Sequence, residues 1–143
     1  MKISVSSYSF SKYISEGKLT QFSCIAAAKE LGFDAIEFVD IIPHDGSTEV
    51  EYAKKLRAEC ERLEMPISNF TFGAELLYPA SGDQEQEIER VKSKIDLAQI
   101  LGAKSVRHDA TGGFRPGERG HHGFDDILPQ LAENCRKITE YAA

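Results

Sequence analysis

The spacing of four short apolar segments constrains this chain more than any other feature. Ile3, Ile36, Ile67 and Val106 mark strand-like runs that lie 33, 31 and 39 residues apart. Strand, helix, strand at this period is the repeated βα unit, which implies parallel strands joined by right-handed crossovers. The spacing predicts strands over Ile3–Ser6, Ala35–Val39, Ile67–Thr71 and Lys104–Arg107. Between them, apolar residues recur at helical spacing: Phe22, Ile25, Ala28 and Leu31; Ala53, Leu56, Cys60 and Leu63; Ile88, Val91, Ile95 and Ala98. A last helix carries Phe124, Leu128, Leu131, Cys135, Ile138 and Ala142 on one stripe, with Pro129 near its first turn. Thr20, Asp83 and the Thr48-x-x-Glu51 capping box open helices; Gly32, Pro66 and Gly102 end them. A loop is expected from Ser7 through Gly17.

Two α/β architectures suit four such units. One is the N-terminal half of a (β/α)₈ TIM barrel, which as a whole takes ~250 residues. The other is a doubly wound open sheet, which needs a phosphate-binding signature at a switch point. No GxGxxG or GxxxxGK[ST] follows any predicted strand, so the half-barrel is the better reading. On that reading residues 1–143 form a single domain, truncated before the fifth strand.

The net charge of −6 and the scattered Lys and Arg disfavour nucleic acid, whose binders carry a basic stripe. No apolar run approaches the ~18 residues needed to span a bilayer, and MKISVSSYSF lacks the apolar core of a secretory signal. Cys24, Cys60 and Cys135 have no CxxC pairing and sit at apolar helix positions, as buried inert thiols do in a reducing compartment. A cytoplasmic protein handling small molecules is the expectation.

In a barrel, the ends of the strands and the loops after them build the site. The residues there are Ser7, Tyr8 and Phe10; Glu37, Asp40 and His44; Asn69 and Thr71; Arg107, His108 and Asp109. Hydroxyls, amides, carboxylates and an aromatic ring suit a polyhydroxylated ligand. Glu37 and Arg107 both point inward and can pair, as structural support or at the substrate. His108 and Asp109 are adjacent on an extended strand and face opposite ways, which suits a substrate contact or loop anchor for His108 better than a shared metal. The glycine-rich loop to Gly123 adds Arg115, Arg119, His121 and His122; the arginines could meet a phosphate or carboxylate, and the histidines read as solvated. No G-x-S-x-G elbow, no HExxH and no cysteine beside a base is present.

The opening KISVSSYSF, the turn LGFDAIEFVD and the run LGAKSVRHDATGGF resemble the sugar phosphate isomerase/epimerase family, within the xylose isomerase-like TIM-barrel superfamily. The resemblance covers the whole chain in order and spacing. It implies an isomerase or epimerase of carbohydrate metabolism that moves a proton next to a sugar carbonyl. It also implies a divalent metal (Mn, Co, Zn or Mg) held by acids and a histidine from later strands, with no metal ligand in this chain. The metal would polarise substrate oxygens while two carboxylates carry the proton. Carried over, Tyr8, Glu37, Arg107 and His108 would be substrate-side residues, with Arg115 on the covering loop. The partner would be a sugar or sugar phosphate. Alternative expectations are a catalytically silent half-barrel, which joins a missing C-terminal half or buries an apolar interior in a homodimer, and an endonuclease IV-like nuclease.

Overall fold

Four strands form one sheet in sequence order: β1 (Ser4–Ser6), β2 (Ala35–Val39), β3 (Ile67–Phe72) and β4 (Val106–His108). The computed structural model describes residues 1–115, 117 and 123–143. β1 pairs with β2, and β2 with β3, in parallel. A sheet that runs in order has no reversal point, which separates it from a doubly wound fold and matches half a (β/α)₈ barrel. The crossovers are α2 (Gln21–Glu30), α3 (Glu49–Arg62) and α4 (Gln84–Leu101); α5 (Phe124–Ala142) follows β4. In place of the expected loop after β1, a 3₁₀ turn over Ser7–Phe10 runs into a short helix, α1 (Ser11–Ser15).

Each crossover turns back to the sheet through one device. The residue after the helix takes a left-handed conformation: Gly32 (φ 84°), Glu64 (φ 51°) and Gly102 (φ 80°). The next N–H then reaches back to the helix: Phe33 to the Ala28 carbonyl (3.1 Å), Met65 to Cys60 (2.8 Å) and Ala103 to Ala98 (3.0 Å). These are Schellman ends, which satisfy carbonyls the helix cannot. At the other end, Thr20 and Thr48 cap α2 and α3, each inside a capping box. The Asp83 carboxylate accepts from the Glu85 and Gln86 N–H groups at the start of α4.

The chain divides into two compact units, residues 1–72 with 96–107, and residues 73–95 with 108–143. In the first, one sheet face is apolar: Ile36, Phe38 and Phe70 are fully buried, and Val5 nearly so. Cys24, Ile25 and Ala28 of α2 and Tyr52, Ala53, Leu56 and Cys60 of α3 complete this core, and α2 packs on both β2 and α3. Truncating a buried ring such as Phe38 to alanine costs about 3–5 kcal/mol. Burial pushes the Cys24 thiol up to about 11 and Cys60 to about 12, so both are unreactive. The second unit buries Ile88 and Val91 of α4 with Leu131, Asn134 and Ile138 of α5; the Asn134 amide donates to the Leu76 carbonyl at 3.0 Å.

Several apolar assignments shift. Leu31 is exposed, because it is the C-cap of α2 and the stripe has already ended. Phe124 and Leu128 are exposed, Cys135 is half-buried, and Pro129 lies inside α5. Strand β4 begins two residues later than expected, at Val106.

Of the three Schellman turns, only the second lacks glycine. Replacing Glu64 by glycine should raise stability by about 0.5–1 kcal/mol, because the left-handed backbone no longer strains a Cβ. Urea denaturation measures this, and a loss of stability would count against the account.

Candidate functional site

The sheet face opposite the apolar core is mostly polar. Register places Ser6 beside Glu37 and Glu37 beside Asn69, with a bulge between Ile36 and Glu37. The bulge turns Ser68 so that its hydroxyl reaches the Ile36 carbonyl (3.2 Å) and the Ser4 hydroxyl (2.8 Å). Thr71 Oγ1 and Asn69 Nδ2 donate to Glu37 Oε1 at 2.5 and 2.9 Å. Ser105 Oγ in turn donates to Asn69 Oδ1 at 2.8 Å. The side chains of Ser105, Asn69, Thr71, Glu37 and Ser6 thus form a hydrogen-bonded row across the sheet. Burial pushes the Glu37 carboxyl up, but the bonds from Thr71, Asn69 and Ser6, helped by the charge of Arg107, outweigh it and hold the group below its ordinary value. Glu37 is therefore an ionised, acceptor-only group on a half-exposed polar surface.

This arrangement revises two expectations. Arg107 is exposed and acts on Glu37 as a charge, while the hydrogen bonds come from Thr71, Asn69 and Ser6. The expected apolar interior is instead the row of serines, Asn69, Thr71 and Glu37.

At the C-terminal ends of β1 and β2, Tyr8 is 71% exposed and lines a cavity of about 290 Å³ with Ser7, Ser11, Ile14, Asp40 and Ile42. His44 is also exposed; its Nδ1 meets the buried Tyr52 hydroxyl at 2.7 Å. The Tyr52 hydroxyl also accepts from the Phe22 N–H at 3.3 Å.

His108 and Arg115 belong to the second unit. His108 is half-buried and its Nδ1–H donates to the Asp109 carbonyl at 2.8 Å. Arg115 lies over the Tyr78 ring, 4.6 Å from its centroid. The structure therefore groups Glu37, Arg107 and Tyr8 in one unit and His108 with Arg115 in the other. Arg119, His121 and His122 lie outside the described residues.

Two residues that organise these loops escape sequence reading. Glu75 accepts from the Gly112 N–H (2.6 Å), the Leu77 and Tyr78 N–H groups (3.0 Å each) and the Thr111 hydroxyl. It ties the loop after β3 to the Thr111-Gly112-Gly113 turn after β4. A Cβ at Gly112 would sit 3.3 Å from Glu75 Oε2, a tight approach, and Gly113 has φ 98°, a conformation that favours glycine. Gln21, the first residue of α2, sends its amide to the Val39 and Asp40 carbonyls and accepts from the Ile42 N–H.

Among the described residues, no three His, Cys, Asp or Glu side chains converge in a set that could hold a metal ion. These residues do not fit the metal the resemblance implies. No helix among them is long and apolar enough to cross a membrane.

A polar face and loops at the C-terminal ends of in-order parallel strands define a barrel-type scaffold. The chain belongs to the xylose isomerase-like TIM barrel family, whose model matches residues 25–143. Solved structures share the fold. An L-ribulose 3-epimerase superposes with a TM-score of 0.71 at 20% identity, covering 99% of this chain and 46% of that one. The 3-keto-D-glucoside 4-epimerase of E. coli gives 0.64 at 15%, covering 85% and 46%. A xylose isomerase domain protein from Planctomyces limnophilus gives 0.55 at 11%, covering 99% and 50%. The chain spans about half the length of these structures. No curated protein matches it.

The Glu75 clamp has a definite pH signature. Burial raises the Glu75 carboxyl, but the hydrogen bonds from Gly112, Tyr78, Thr111 and Leu77 outweigh that and hold it below its ordinary value of 4.5. Its contribution to stability is thus complete above about pH 4.5 and lost as pH falls through the depressed folded value. Glu75→Gln should cost about 1–3 kcal/mol near pH 7 and flatten the acid limb of the stability curve. Amide exchange at Leu77, Tyr78 and Gly112 should accelerate. Unchanged exchange at all three would remove the clamp.

Proposed function

We propose that this chain is the N-terminal, substrate-contacting half of a metal-dependent sugar (phosphate) isomerase or epimerase. The reaction is a proton transfer at a carbon next to the sugar carbonyl. The observation that carries the reading is the ionised Glu37 in its row of hydroxyl and amide partners, in a chain of the xylose isomerase-like family. A fixed carboxylate accepts from sugar hydroxyls, and charge-assisted bonds of this kind are roughly twice as strong as neutral ones. Arg107 beside it suits a carboxylate, phosphate or carbonyl oxygen. Tyr8 offers an aromatic face to the CH surface of a sugar; within the second unit, taken by itself, His108 and Arg115 are proposed as substrate residues.

The divalent metal (Mn, Co, Zn or Mg) is part of this proposal only through the family. Its ligands would be residues other than those described. The proposed setting is the cytoplasm, and the proposed partner is the remaining half of the barrel.

The named epimerases act on a ribulose and a keto-glucoside, which makes L-ribulose a reasonable first probe. Titrated into this chain, it should shift the amide resonances of Glu37, Asn69 and Thr71. Glu37→Gln should weaken its binding about tenfold with the sheet intact. The complete polypeptide, given a metal of that set in deuterium oxide, should place deuterium on the carbon beside the carbonyl. Absence of both binding and exchange across ketopentoses and ketohexoses would overturn the reading.

A further inference from the structure

Among the described residues, two that are not glycine hold a positive φ: Glu64 and Asp40, both at 51°. Glu64 is accounted for as the turn after α3. Asp40 is not at a helix end. It follows β2 directly, at the end of the strand where this fold presents ligand-binding loops.

A sparsely populated backbone conformation persists only where its surroundings over-determine it. Around Asp40 they do. Its N–H donates to the Thr71 carbonyl at 2.8 Å. Gln21 Nε2 donates to the Val39 and Asp40 carbonyls at 3.0 Å each, and Gln21 Oε1 accepts from the Ile42 N–H at 2.8 Å. Ser7 Oγ accepts from the Val39 N–H at 2.9 Å. Gln21 and Ser7 are themselves 2% and 3% exposed, so the clamp is built into the core. Glycine would serve a turn of this shape with less strain; what aspartate adds is a carboxylate.

That residue lines the cavity of about 290 Å³ whose other walls include Tyr8, Ser11, Ile14, Val39 and Ile42. The volume is near the lower end for small-molecule sites, and a mostly apolar lining with few polar groups is their usual character. An aromatic ring and aliphatic walls suit the CH face of a monosaccharide, and an acid suits its hydroxyls.

We propose that Asp40 is a ligand-binding residue, held in place by the Gln21 clamp to accept hydroxyl hydrogen bonds from a sugar seated against Tyr8. This rests on the sugar-enzyme reading above and adds a second acid, at the corner between β1 and β2, to the Glu37 surface.

The test uses this chain, L-ribulose as the probe, and three variants. Asp40→Asn keeps the side-chain shape without the charge. Asp40→Gly keeps the backbone conformation without the side chain. Glu64→Gly makes the same backbone relief elsewhere. Both Asp40 variants should bind L-ribulose at least about tenfold more weakly, with thermal midpoints no lower than that of the parent. Glu64→Gly should bind as the parent does. If the parent binds and the Asp40 variants bind equally well, Asp40 is only a turn residue and this inference falls alone. If binding is lost only together with a lowered midpoint in both variants, Asp40 supports the fold and the inference also falls. If the parent binds no L-ribulose, ketopentose or ketohexose, the sugar reading itself has failed and takes this inference with it.

Discussion

A carboxylate set in the middle of a sheet must be solvated by its neighbours, and the inner face here is composed around that requirement at Glu37. Ser6, Asn69 and Thr71 come from both flanking strands to supply donors, and Ser105 passes the chain of bonds on toward β4. Leaving such a group buried without partners would cost several kcal/mol. The same bonds that stabilise it also keep it ionised. Structural support and the proposed ligand recognition would therefore be one arrangement: the bonds that orient Glu37 for the sheet would also orient it for a hydroxyl.

The opposite face obeys a different rule. Ile36, Phe38 and Phe70 alternate with Glu37, Asn69 and Thr71, so these strand residues divide between the helix layer and the polar surface. The bulge at Ser68 adjusts register locally and keeps that division intact. Beyond the sheet, single buried or half-buried side chains do the organising: Gln21 fixes the backbone after β2, and Glu75 fixes the turn after β4. Both act on main-chain groups, which explains how loops without regular structure acquire defined geometry.

The repeat of strand and helix was legible because it depends on periodicity alone, and the caps at Thr20, Thr48 and Asp83 were legible because capping is local. Leu31 was misplaced because a helical stripe does not reveal the last residue that belongs to it. Glu37, Tyr8 and Asp40 could be named as rim or inner residues, since alternation assigns their faces. Their partners could not. Gln21 looks like an ordinary first-turn residue, and Glu75 like a charged loop residue, until main-chain groups distant in sequence are brought to them. The left-handed backbone of Asp40 also leaves no trace, because aspartate is common in loops of every conformation.

The contact between Glu75 and Gly112 spans 37 residues. It can close only once the intervening helix and strand bring the two segments together, so the turn after β4 takes its shape from a partner distant in sequence. The geometry of that turn therefore depends on tertiary structure and cannot be set by its own sequence alone.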